Sequence, residues 1–405
     1  MSEEPKPSES PTRDIDYGLL LPFVTHVVLL QTMILIVRVT TSYRALELGL
    51  PVFWLGVIAA GFAIIPVFSA VKLGRWIDRG YDAQAIRIGN VLILAACLGL
   101  WLWPSSALHL VGLSVLLGFG HMFCMAGHQM LMVRAGGPLS RENVLGYYMV
   151  AAAIGQGAGP LVVGWIGGAA SLPPTGTLFA ISLGIAVVGL VVALMIRAAR
   201  RATAGSGKDT ALVPIRALLH TRGLPAIFVA SVVTVTALDL LVIYMPALGA
   251  ERQIDATNIG LLLTVRSAAS LVSRLFYSRL IFAVGRAPLT LVSMLVSAVA
   301  FGALALPLSL PAMYAVMVVL GFGMGIASTL TLSGVVYLAP AGSYGTALTL
   351  RMTGNRIGQV MFPAAAGLLA AAVGVAGIFI VIGLGIGVSG IAVPLSLRSI
   401  GSPDA

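Results

Sequence analysis

This sequence is short of charge. Asp, Glu, Lys and Arg together make up 9% of its 405 residues, where a soluble protein carries roughly 25%. So few charges cannot cover a water-facing surface, and the implied solvent is a lipid bilayer. Acids are scarcer than bases, 14 against 24. Cysteines number only two. Both Cys97 and Cys124 fall in apolar runs without metal-ligand spacing, and they read as small buried hydrophobes. The chain contains no Walker A stretch, no nucleophile elbow and no dinucleotide fingerprint. Nucleotide-driven transport and enzyme activity are therefore not expected, nor is any cofactor or metal. Residues 1–16 lack the apolar core of a signal peptide, so the first span is expected to remain as an uncleaved helix.

What is abundant is apolar sequence: 59% of residues are hydrophobic and mean hydropathy is +1.02. A helical span needs about 20 apolar residues. Twelve such stretches fit, near 18–42, 52–72, 86–104, 107–133, 143–169, 176–197, 223–248, 258–280, 287–306, 311–338, 345–372 and 374–397. Long apolar runs exclude barrel strands, which need short alternating segments. The net charge of +10 suggests nucleic acid only until its distribution is read. Most Lys and Arg fall in the termini and in alternate loops, the positive-inside pattern. Arg44 and Arg252 fall in the opposite loops. Both termini are expected to be cytoplasmic, with no nucleic-acid partner.

The stretch Gly155-Gln156-Gly157-Ala158-Gly159-Pro160, closing at Gly164, has an echo about 200 residues later in Gly358-Gln359, Pro363 and Gly367. Leu117-Gly118-Phe119-Gly120 returns as Leu320-Gly321-Phe322-Gly323, and Leu55-Gly56 returns roughly as Ile259-Gly260. Several matches at one offset indicate a duplicated chain, too long in period for a solenoid and suited to the paired halves of a transporter. The expected fold is an all-α membrane protein of twelve transmembrane helices in two pseudo-symmetric six-helix halves. Its parts are a disordered cytoplasmic tail at 1–16, one half at 17–197, a basic cytoplasmic linker at 198–222, a second half at 223–397 and a tail at 398–405.

The loop after the second span reads Gly74-Arg75-Trp76-Ile77-Asp78-Arg79-Gly80. It resembles the cytoplasmic loop motif of the major facilitator superfamily, with Gly74, Asp78 and Arg79 matching, Gly80 one position early, and Tyr81-Asp82 near the place of the motif's basic pair. The resemblance implies that Asp78 biases an inner gate, and a weaker second copy falls at Ser278–Arg286. The fifth span adds Gly146, Gly155, Gly159-Pro160 and Gly164, similar to the superfamily's antiporter motif. Read as residues alone, the same glycines permit close helix packing and Pro160 permits a bend.

Charges inside spans are expensive in lipid and mark functional candidates. At about 1.5 Å per residue, Arg266 and Arg356 lie near midplane. Arg266, Ser270, Ser273 and Tyr277 share one helical face. Arg351, Asn355 and Gln359 share another, beside Arg356. Arg38 and Arg351 are close enough to helix ends to snorkel. Asp239, the one acid within a span, stands roughly where Arg38 stands in the first half, and reads either as a proton carrier or as half of a fixed ion pair. His121 and His128 lie seven apart, with Cys124 between them. Without an accompanying acid they do not suggest a metal site; cavity lining, proton handling and ordinary packing remain open for them, and for His26.

These features lead to a monomeric secondary active transporter of the cell (inner) membrane. Its expected partners are the lipid bilayer and a small-molecule substrate, most readily a small organic anion, with a proton as a coupling ion. The arginines of the eighth and eleventh spans resemble the oxalate and monocarboxylate branches of the superfamily, although the aromatic-rich first span of monocarboxylate carriers is absent. The anion site is expected at Arg266, Arg356, Asn355, Gln359, Arg38 and His128, with His121 and Gln129 as further candidate contacts from the first half and Asp239 and His121 in proton coupling or an ion pair. The rival expectation is a proton-coupled drug or sugar exporter, an antiporter.

Overall fold

The computed structural model describes residues 17–134, 138–196, 215–340 and 343–398. Its elements are α1 (Tyr17–Glu47), α2 (Phe53–Asp78), α3 (Asp82–Leu102), α4 (Ala107–Arg134), α5 (Pro138–Gly167), α6 (Thr175–Met195), a short α7 (Ile215–His220), α8 (Leu224–Glu251), α9 (Ala256–Val284), α10 (Arg286–Leu304), α11 (Leu310–Leu338) and α12 (Tyr344–Arg398). No strand occurs among the described residues. Helices are the expected solution for apolar sequence in lipid, since each satisfies its own backbone polar groups.

Ten helices are long and apolar enough to cross a bilayer, and Phe53–Ser69 within α2 is a shorter apolar helix. The last of the ten covers two expected spans. No polar loop separates them, and the helix is broken only at Gly374 (φ 71°, ψ 176°), a conformation that glycine adopts without a steric penalty. Twelve spans are reached only by counting α2 and the two arms of α12 separately. The expected linker 198–222 contains a helix that its basic composition did not suggest. Leu218 on α7 is fully buried. The two tails, most of the linker and residues 135–137 and 341–342 lie outside the described residues.

Within the first half, α1 packs on α5 and α6, α2 on α4, and α3 on α4 and α6; in the second, α8 and α10 pack on α12 and α9 and α10 on α11. The halves meet through α2 with α12, α5 with α9, and α1 with α8. Under the sequence repeat α2 corresponds to α9 and α5 to the first arm of α12, so the two large cross-half contacts are copies of one contact. Each is made by the repeated glycines. A Cβ on Gly260 would collide with the Pro160 carbonyl and lie 2.7 Å from the Gly164 Cα; one on Gly56 would collide with the Pro363 carbonyl and lie 3.0 Å from the Gly367 Cα. Both seams lie at the bundle end where α1 finishes.

Many large apolar side chains stand on the outside, among them Phe282, Trp165 and Phe68, as a hydrocarbon surround allows.

Candidate functional site

Between the halves lies a cavity of about 400 Å³. Gln31 and Arg38 of α1, His121 and Met125 of α4 and Gln156 of α5 line it from the first half. Asp239 of α8, Arg266 of α9, and Arg351, Asn355, Arg356 and Gln359 of α12 line it from the second.

One polar chain crosses the cavity. Arg38 Nη1 donates to Asp239 Oδ1 at 2.7 Å. The second carboxylate oxygen accepts from Gln359 Nε2 at 2.6 Å. Gln359 Oε1 in turn accepts from Arg356 Nη1 at 3.1 Å. Asp239 is thus fully engaged by one arginine and one amide. The Arg38 guanidinium also sits 5.1 Å from the centre of the Phe62 ring, a cation–π distance.

The other arginines are less satisfied. Arg266 is 7% exposed; its Nη2 donates to Ser267 Oγ at 2.7 Å while Nε has no partner. Arg351 Nε is likewise buried without a partner. Among the described residues, no carboxylate comes within ion-pair distance of Arg266, Arg351 or Arg356. Asn355 accepts from Ser231 at 3.1 Å. Both ring nitrogens of His121 lack partners, and its ring lies 5.4 Å from that of Phe62.

Several expected site residues are elsewhere. His128 and Gln129 do not line the cavity. His128 is wholly buried, its Nε2 2.8 Å from His26 Nδ1. Asn90 Nδ2 donates to His26 Nε2 at 2.6 Å. With that nitrogen accepting, His26 carries its proton on Nδ1 and donates it to His128. This is an internal tie among α1, α3 and α4. Along α9, only Arg266 of the polar face reaches the cavity. Ser270 and Ser273 pack against Gly325 of α11, and Tyr277 is hydrogen-bonded to Ser333 at 2.6 Å.

The glycines of α5 act in packing. A Cβ at Gly155 would lie 2.7 Å from the Gln31 Cβ, and one at Gly159 2.6 Å from that of Leu35, so both face α1. Gly164 faces α9, where its carbonyl accepts from Thr257 at 3.0 Å. In the loop after α2, Arg79 is exposed and Gly80 has φ 103°. Gly74 has open space where a Cβ would project. The Asp78 side chain lies outside the described residues.

Sequence reasoning missed two polar lining residues, Gln31 and Gln156, and the apolar Phe62 and Met125. In so apolar a chain, nothing marks a carbon or thioether wall facing a cavity rather than lipid.

The family model for the Major Facilitator Superfamily matches residues 21–251 and 227–404. No curated protein matches the sequence. Among solved structures, a bacterial homolog of the human lysosomal transporter Spinster, inward-facing and unoccupied, aligns with TM-score 0.77 at 14% identity over 96% of this chain and 100% of that one. The nucleoside transporter NupG aligns with TM-score 0.76 at 12% identity, over 94% and 99%. A POT family transporter in complex with a thioalcohol-conjugated peptide aligns with TM-score 0.76 at 13% identity, over 95% and 96%. At such identities the likeness is one of fold.

Proposed function

Because the chain belongs to the Major Facilitator Superfamily and is a transporter, we propose that its cargo is a small organic anion, moved by alternating access of the cavity between the halves. The observation that carries this reading is the trio Arg266, Arg351 and Arg356, which line the cavity with no carboxylate among the described residues at ion-pair distance. A guanidinium stays charged and offers a planar fork of donors to a carboxylate. In a site walled by protein its attraction for an anion is screened far less than in water. His121, with two free ring nitrogens, supplies a further contact from the first half.

Asp239 has two roles open to it in this scheme. Paired with Arg38, it removes one cation from competition for substrate; protonated, it would release Arg38 to the anion and couple transport to a proton. The seams at the end where α1 finishes close the cavity on that side. With both termini cytoplasmic, as the positive-inside pattern favours, that is the outer side. The protein then acts as a monomer in the cell membrane, with Asp78 and Arg79 in an inner gate. The glycines of α5 add no support for an exporter, since they pack on α1 and α9.

Thermal shift of the purified protein against carboxylates, cations and sugars tests this, since a ligand of the folded state raises apparent stability. Carboxylates should stabilise, and Arg266→Lys and Arg356→Lys should each weaken binding more than tenfold with near-normal expression. Stabilisation by cations or sugars alone, with both lysine variants unaffected, would transfer the reading to the exporter.

A further inference from the structure

The free cations of the cavity stand on one wall only. Arg266, Arg351 and Arg356 all belong to α9 and α12 of the second half. The first half presents one cation, Arg38, held by Asp239 and lying over Phe62. Apart from His121 and Gln156, the rest of that wall is carbon and sulfur: Ile34 and Leu35, the Phe62 ring and the Met125 thioether. Two polar neighbours are turned into the wall. Gln31 Nε2 donates to Met125 Sδ at 3.6 Å and the Tyr148 hydroxyl donates to the same sulfur at 3.4 Å. The second half continues the apolar surface through Val235, Leu238 and Val242 of α8. A cavity of about 400 Å³ falls in the range of pockets that enclose a ligand with a sizeable apolar body, well beyond what a lone carboxylate group occupies.

We infer that the substrate is an amphipathic monoanion, its carboxylate held by the arginines of α9 and α12 and its apolar body laid against Phe62 and Met125. This rests on the anion reading and adds to it a polarity and an orientation. A thioether and an aromatic face adapt to varied apolar shapes, so the site selects for one charged end and a hydrocarbon remainder more than for a particular skeleton. A second carboxylate on the far end would meet that wall with no free cation to receive it.

The test is a chain-length series from acetate to octanoate against the purified protein, beside dicarboxylates of equal length up to suberate. Apparent affinity for the monocarboxylates should rise about fourfold per methylene until the cavity is filled, and octanoate should bind at least tenfold more tightly than suberate. Phe62→Ala should flatten the dependence on length and retain the demand for a carboxylate. The double variant Arg266→Gln/Arg356→Gln controls for partitioning into detergent and should lose the octanoate response. If dicarboxylates bind as tightly as monocarboxylates, or length has no effect, the amphipathic inference is overturned while the anion reading stands. If the double variant responds to octanoate as the unaltered protein does, the shift is unspecific and the inference is overturned. If no carboxylate of either series binds, both fall together.

Discussion

Arg38 and Asp239 are 201 residues apart in sequence and 2.7 Å apart in space. That separation is close to the sequence repeat, so the two residues stand at corresponding places in α1 and α8, and those helices meet where the halves join. Tyr43 and Tyr244 form a second corresponding pair on the same helices, both fully buried. Two identical copies would have set like charges against each other at the first of these positions. A cation in one copy and an anion in the other turn that repulsion into a bond between the halves.

Removing either charge leaves the other buried alone. Their side chains are 14% and 16% exposed, so Arg38→Gln or Asp239→Asn should destabilise toward the lower end of the ~3–5 kcal/mol seen when such a pair is broken. The exchanged double variant Arg38→Asp/Asp239→Arg should recover most of it. Thermal unfolding in detergent reads this directly, and equal stability of all four proteins would dissolve the proposed tie.

The seams should be sensitive to any added side chain. Gly260→Leu or Gly56→Leu places bulk against a backbone carbonyl of the opposite half, so the end where α1 finishes, outer in the proposed orientation, should stay apart. In such a variant a cysteine introduced at Asn355 should label from outside, whereas in the unaltered background it should be protected. Protection unchanged by either substitution would show that the seam closes by other means.

His121 and His128, both on α4, should behave differently. His121→Ala removes a free imidazole from the cavity, and since hydrogen bonds to charged groups contribute about 1.5–3 kcal/mol, anion affinity should fall about tenfold or more. His128→Leu removes the acceptor for His26 and should lower stability by roughly 1–3 kcal/mol with anion affinity unchanged within twofold. Paired thermal-shift titrations of the variants separate the two; the reverse pattern would place His128 in the binding site.

Arg44 and Arg252, the basic residues on the side where positive charge is not expected, have structural work of their own. Arg44 Nε donates to the Pro104 carbonyl just past α3 at 2.8 Å, and Arg252 Nη2 to the Ala305 carbonyl ending α10 at 2.9 Å. Each satisfies the end of the third long helix of its half, where a cation is favoured. Partial burial lowers the Arg252 guanidinium from its ordinary value and Glu251 beside it raises it. Arg252→Gln should cost about 1 kcal/mol, with Arg252→Lys milder. Cysteine labelling at Ser171 should give the same sidedness in both; a flipped topology would mean these arginines take part in setting orientation.

Much of the architecture was legible because lipid imposes it. Long apolar runs, the asymmetry of loop charge and the repeat all follow from the bilayer and the duplication. The break within α12 was legible as a boundary between spans near 345–372 and 374–397, but its form was not, since without a polar loop the chain continues almost as one helix. Within the site, Arg266, Arg356, Arg351, Asn355, Gln359, Arg38, Asp239 and His121 could be picked out because polar groups are rare and expensive in a span. His128 was misplaced for a geometric reason. It shares a helical face with His121 but lies two turns further along α4, where α1 and α3 cover that face. Nor did periodicity separate Ser270 and Ser273, which turn to α11, from Arg266, which turns to the cavity.

The contact of Gly56 with Pro363 and Gly367, and its counterpart at Gly260, brings main chain directly against main chain. Long side chains lose up to about 1.5–2 kcal/mol of rotamer freedom when they are fixed, while glycine has none to lose. Closing this end therefore freezes little, and opening it releases little. The two faces can part and rejoin at nearly constant side-chain freedom, so this seam itself sets little entropic bias on whether that end stands open or shut.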